Sequence, residues 1–158
     1  MTDVDALLDD FQAAWTGRER PAFARSCAVD VHYEDPLCER PLEGLDPLAD
    51  HAAKLWTAFP DARLETTGPR LHDDRYVAAP CKVIATHRGE LPRLPPTGRF
   101  IVVHAVFYCE LDGARERLWR VRTFFDVYDA GMQLGLLPRR GTLSERALLM
   151  LRGFGLRA

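Results

Sequence analysis

The chain opens and closes on a helical period, with a strand period between. In residues 3–16, Val4, Leu7, Leu8, Phe11, Ala14 and Trp15 follow the i, i+3, i+4, i+7 spacing of one buried face, which predicts a helix. Thr2 is placed to cap it, with Asp5 three residues on, and Gly17 to end it. Pro21, at a favoured first helical position, predicts a short second helix to about Cys27. VHYEDP, residues 31–36, reads as a short strand closed by its proline. Asp46-Pro47 opens a third helix whose Leu48, Ala52, Leu55, Trp56 and Phe59 share a face, and Pro60 stops it.

From residue 61 the period changes. Residues 62–68, 75–89, 98–113 and 117–127 are rich in β-branched and aromatic residues and read as strands, with Asp73-Asp74 and Asp112-Gly113 as turns. Pro80 within this pattern marks an edge or a bulge. Residues 127–135 return to a short helix, and 142–157 read as another that begins with a Thr142–Glu145 capping box. Leu143, Ala147, Leu148, Leu151 and Phe154 form its apolar stripe. Packing on its own domain or a partner subunit is the expectation for that stripe, ahead of lying on a membrane surface. Helices first and a run of strands afterwards make the fold α+β.

Composition narrows the function classes. The 158 residues are 47% hydrophobic, enough for one sizeable core. The formal net charge of −2 and the lack of a basic run argue against a nucleic-acid partner. No stretch approaches the length of a membrane span. The four cysteines form no C-x-x-C pair and have no zinc spacing with a histidine, and MTDVDALLDD carries no signal pattern. The expectation is a reduced, cytoplasmic protein whose cysteines are small core residues. His32, His51 and His72 are scattered, so no metal site is expected.

Five motifs carry a resemblance: YEDP at 33–36, FPD at 59–61, ATHRG at 85–89, PPTGR at 95–99 and FFD at 124–126, the last followed by QLG at 133–135. In order and spacing, over roughly residues 5–137, they resemble the SnoaL-like polyketide cyclases of the nuclear-transport-factor-2-like superfamily. The resemblance implies a single domain over 1–138; residues 139–158 lie outside it and, from their capping box and stripe, are expected to form a helical extension. The resemblance also implies a cone-shaped roll, a curved antiparallel sheet wrapped over three N-terminal helices, to which the tail adds an extra C-terminal helix. The open end of the cone would be a pocket for a small hydrophobic molecule. Relatives include ketosteroid isomerase, scytalone dehydratase and non-catalytic proteins, so the site must be argued separately.

The resemblance to ketosteroid isomerase makes Asp35 a general base; the local alternative is a turn aspartate bonding backbone N–H groups. The position of that enzyme's oxyanion tyrosine falls on Phe11, which has no donor, and its second donor falls near His104 or Ala105. The cyclase acid/base positions fall on Thr123 and Val106, neither of which carries a proton at neutral pH. Asp126, three residues after Thr123, and His104, on the strand face of Val106, are then the substitutes. Asp126 is alternatively a helix cap, and His104 a histidine satisfied in the core. Phe11, Trp15, Tyr33, Trp56, Phe59, Val106, Tyr108 and Thr123 are expected to wall the pocket, with His87 at its mouth and Leu91, Leu94, Pro95 and Pro96 as a lid. The expected chemistry is isomerase-, cyclase- or dehydratase-type proton transfer on a carbonyl compound without a cofactor. The alternative is a binding or accessory domain without catalysis. A homodimer through the outer face of the sheet is also expected.

Overall fold

Asp3, not Thr2, caps the first helix: its carboxylate accepts the N–H of Asp5 at 3.0 Å. The computed structural model describes residues 3–92 and 94–151; Thr2, Arg152, Phe154 and Arg157 lie outside them. Helix α1 spans Val4–Gly17 and ends on Arg18 in the left-handed region (φ 57). The Arg18 guanidinium donates to Thr16 O and Ala62 O, and so ties the helix end to the chain beyond the third predicted helix. The second predicted helix is a 3-10 helix, Arg20–Arg25. Six residues are too few to repay α-helix nucleation, and Cys27 already belongs to a strand. Helix α2, Leu45–Ala58, is capped by Gly44 at φ 96 rather than by Asp46. Pro47 then falls in the first turn, where a missing N–H costs nothing.

The strands are β1 Cys27–Glu34, β2 Leu42–Glu43, β3 Arg63–Thr66, β4 Leu71–His72, β5 Tyr76–Thr86, β6 Phe100–Leu111 and β7 Leu118–Phe125. They form one curved, unclosed sheet in the order β2-β1-β7-β6-β5-β3, with β4 also on β5. Every pair is antiparallel except β1 with β7, which is parallel, so the sheet is mixed rather than purely antiparallel. Pro80 falls in the gap where β3 has stopped pairing at Cys81 and β4 begins at Ala78. Its missing N–H breaks no ladder there.

Side-chain alternation along β6 gives the sheet its two faces. Ile101, Val103, Ala105, Phe107 and Cys109 are buried beneath the helices. Phe107 meets Phe11 edge-on at 5.2 Å between ring centroids, and Phe11 in turn touches Phe23 and Trp15. His104, Val106 and Tyr108 point the other way and are exposed in the single chain. The expected wall positions Phe11 and Tyr33 are 0% and 2% exposed, with Trp15 and Trp56 packed against the same cluster. These rings fill the interior where a deep apolar pocket was expected.

Helix α3, Val127–Leu134, crosses the end of the sheet, and Gln133 holds it there. The Gln133 amide accepts from Val102 N at 2.7 Å and donates to Val102 O at 2.9 Å, standing in for a neighbouring strand where β7 has ended. Helix α4, Leu143–Leu151, starts with Thr142 accepting the N–H of Glu145, as the capping box predicts. No residue of α4 is fully buried among the described residues: Leu143 and Leu151 of its stripe are exposed and Leu148 is half-buried. No described helix is long and apolar enough to cross a membrane.

Candidate active site

Strand β1 ends at Glu34, and the turn after it aims Asp35 inward. One oxygen of Asp35 serves the turn: Oδ1 accepts the N–H groups of Leu37 at 2.7 Å and Cys38 at 3.1 Å. The other serves the interior: Oδ2 lies 2.7 Å from His51 Nε2 and accepts the Tyr33 hydroxyl at 2.9 Å. The Asp35 side chain is 3% exposed and that of His51 14%. The two oxygens are thus divided, Oδ1 to the backbone of the turn and Oδ2 to buried side chains. Burial raises the Asp35 carboxyl, but the hydrogen bond and charge of His51, with Leu37 N–H and Tyr33, outweigh it and hold it below its ordinary 3.8. Burial first, and the Asp35 charge second, push the Tyr33 phenol far above 10, so it stays a neutral donor.

His51 comes from α2 and Tyr33 from β1. Thr123, on the inner face of β7, donates to the Tyr33 hydroxyl at 3.2 Å. Trp15 of α1 lies edge-on to His51 and tilted on Tyr33, with centroids at 6.5 and 5.8 Å. The Trp15 indole N–H is buried without a hydrogen-bond partner, and His51 Nδ1 makes no hydrogen bond among the described residues. Cys38 Sγ lies 3.8 Å from His51 Nε2. An open cleft of about 320 Å³, lined by Glu34, Asp35, Pro36, Arg122, Thr123 and Phe124, adjoins Asp35. Glu34 and Arg122 pair across β1 and β7 at its rim.

The other expected site residues do not join this cluster. His104 and Val106 lie on the outer face of β6, because inward positions there are odd-numbered. Tyr108 is also outside, 40% exposed and stacked on Tyr76 at 5.9 Å. Asp126 is exposed; it caps α3 by accepting Asp129 N at 3.0 Å and pairs with Arg140 at 2.8 Å. Trp56 donates to Trp15 O, and so fixes the ring beside the site. Phe59 lies in a second apolar cluster and packs on His87 at 5.1 Å. His87 is fully buried: its Nδ1 accepts Thr97 N, which folds the proline loop onto it, and its Nε2 has no partner among the described residues. Sequence reasoning missed His51. Its signal is its place three residues after Leu48 and four before Leu55, within the apolar face of α2.

The fold is that of the ketosteroid isomerase-like proteins, and the inward carboxylate at the end of β1 lies within it. The sequence pattern of the SnoaL-like polyketide cyclases matches residues 6–134. The chain belongs to that family. Among solved structures it is similar to AclR of Streptomyces galilaeus (21% identity, TM-score 0.73), over 94% of this chain and 95% of that one. It is also similar to a SnoaL-like polyketide cyclase of Agrobacterium tumefaciens (20% identity, TM-score 0.69), over 85% of this chain and 100% of that one. A third is a ketosteroid isomerase-like protein of Catenulispora acidiphila (16% identity, TM-score 0.68), over 82% and 92%. No curated protein sequence matches the chain.

Proposed function

We propose that the protein moves a proton on a small hydrophobic carbonyl compound, with His51 as the acid–base group and Asp35 as the residue that positions it. The observation that carries this is the 2.7 Å contact between Asp35 Oδ2 and His51 Nε2, which leaves Nδ1 without a hydrogen bond. A carboxylate on one ring nitrogen fixes the tautomer and makes the other nitrogen the proton acceptor. Asp35 itself is a poor base here. Leu37 N–H, Cys38 N–H, Tyr33 and His51 occupy its oxygens and hold its proton affinity down. The buried Trp15 N–H beside the pair is the kind of unspent donor that stabilises a developing oxyanion. The step needs no cofactor: His51 takes the α-proton, the carbonyl becomes an enolate held by a donor, and the proton returns at another atom.

The outward-facing His104 and the exposed, paired Asp126 favour the other reading, binding without catalysis, and one experiment separates them. The exchange of α-protons for deuterium in a panel of small cyclic and aromatic ketones, followed by NMR, reads proton transfer directly. His51→Gln is expected to lower the exchange rate about 10²–10⁴-fold. Asp35→Asn is expected to lower the rate at saturating ketone without moving the half-saturating concentration. Exchange no faster than buffer for the native protein, or unchanged in His51→Gln, would establish the binding reading.

A further inference from the structure

Asp35, Cys38 and His51 each offer one metal-ligating atom, and these atoms lie within 4.8 Å of one another. Both partners of the imidazole meet the same nitrogen: Nε2 is 2.7 Å from Asp35 Oδ2 and 3.8 Å from Cys38 Sγ. A thiol–imidazole–carboxylate relay would use opposite ring nitrogens, as hydrolytic triads do. Here the sulfur, the carboxylate oxygen and the one nitrogen that both approach face a common point, as ligands converge on a metal. We propose that Asp35, Cys38 and His51 bind a zinc-like divalent ion in place of the proton now held between Asp35 and His51.

The donor set selects the ion class. One sulfur, one imidazole nitrogen and one carboxylate oxygen suit a borderline-soft ion such as zinc and disfavour magnesium or calcium, which take oxygens. Zinc bonds of about 2.3 Å to sulfur and about 2.1 Å to nitrogen and oxygen, at the tetrahedral angle, place sulfur and nitrogen about 3.6 Å apart and nitrogen and oxygen about 3.4 Å apart. The observed sulfur–nitrogen distance of 3.8 Å is close to the first. The nitrogen–oxygen distance of 2.7 Å must open, as it does when a hydrogen bond is exchanged for two metal bonds. The ligands come from two anchored elements. Cys38 N donates to both Asp35 O and Asp35 Oδ1 in the turn after β1, and His51 rides on α2.

Access and proton balance are also met. Cys38 is half-buried, whereas Cys27, Cys81 and Cys109 are buried. On binding, the Cys38 S–H bond breaks and its proton goes to solvent, while the imidazole proton moves from Nε2 to Nδ1, so that a thiolate and a neutral imidazole hold the ion. The site does not depend on the proton-transfer reading. An ion would take the nitrogen that Asp35 now holds, whether or not His51 works on a carbonyl compound.

Cobalt(II) is the probe, added to the full chain with its thiols reduced. One equivalent should give a near-ultraviolet thiolate-to-cobalt band, and zinc should abolish it. Cys38→Ser should lose the band, and His51→Gln should weaken binding at least about tenfold, with circular dichroism showing both variants folded. As a second measurement, zinc should slow the reaction of Cys38 with a chromogenic thiol reagent at least about tenfold in the native protein. No band at one equivalent, a band that survives Cys38→Ser, or labelling indifferent to zinc would overturn the site. None of these readings uses turnover, so failure here leaves the proton-transfer test unaffected.

Discussion

Asp35 and Asp126 leave the same sheet in nearly the same way, yet only Asp35 gathers buried side-chain partners. They follow β1 and β7, parallel neighbours, and each carboxylate accepts backbone N–H groups of the turn that comes next. The difference is where the second oxygen goes. Asp35 turns its own inward to His51 and Tyr33; Asp126 turns its own outward to Arg140, where both side chains are more than half exposed. A local hydrogen-bonding role therefore says nothing against a functional one, because a carboxylate has an oxygen for each. What decides is whether a helix passes close enough to supply a buried partner, and α2 does so for Asp35.

The largest expected effect tests this contrast through stability. Asp35→Ala leaves His51, Tyr33 and the Leu37 and Cys38 N–H groups without their acceptor. Removing one partner of such a buried pair costs about 3 kcal/mol or more. Asp126→Ala loses a helix cap and an exposed ion pair, and a clearly smaller change is expected. Urea unfolding of both variants gives the two values. Equal losses would mean that the inward oxygen of Asp35 contributes nothing beyond the turn.

A smaller effect appears with pH and salt. The folded Asp35 carboxyl lies below its ordinary 3.8. Its contribution to stability is therefore fully present above that value and is lost as pH falls from there through the folded one. The Asp126 carboxyl is also lowered, first by the Asp129 N–H and then by Arg140, so its contribution disappears over a similar acid range. Salt separates them, since exposed pairs are screened and buried ones much less. Denaturant midpoints between pH 2 and 6 at low and high salt should show Asp35→Asn flattening the acid limb at both salts. Asp126→Asn should flatten it mainly at low salt. A native acid limb that vanishes entirely in high salt would place the stabilising charge on the surface.

Strands β5, β6 and β7 were legible because alternation and turn residues agree along them, β1 was legible only from residue 31, and the carboxylate at 35 stood out from the motif around it. The direction of β6 was not. Ile101, Val103, Ala105 and Phe107 alternate with Val102, His104, Val106 and Tyr108, and both sets are apolar enough to face a core. Long-range contacts such as that of Phe107 with Phe11 select the inner set, and they join residues far apart in the chain. His104 and Val106 were misplaced for that reason. His51 was hidden differently: it lies sixteen residues beyond Asp35 on another element, and a lone histidine on a helix carries no sign of the partner it will meet.

The smallest expected effect concerns Thr123, where the cyclase carboxylate of the family falls. Its hydroxyl donates to Tyr33, which already donates to Asp35, so Thr123 is the outermost link of the chain that ends on His51. Thr123→Val keeps the shape and removes one neutral hydrogen bond, a loss of about 1 kcal/mol or less. Tyr33 keeps its acceptor, so deuterium exchange should stay within about twofold of native, far from the effect of losing a proton carrier. A loss of a hundredfold or more in Thr123→Val would return the chemistry to β7 and leave the Asp35–His51 pair a structural one. A loss confined to stability would leave β7 as scaffold and the working end of the sheet at β1.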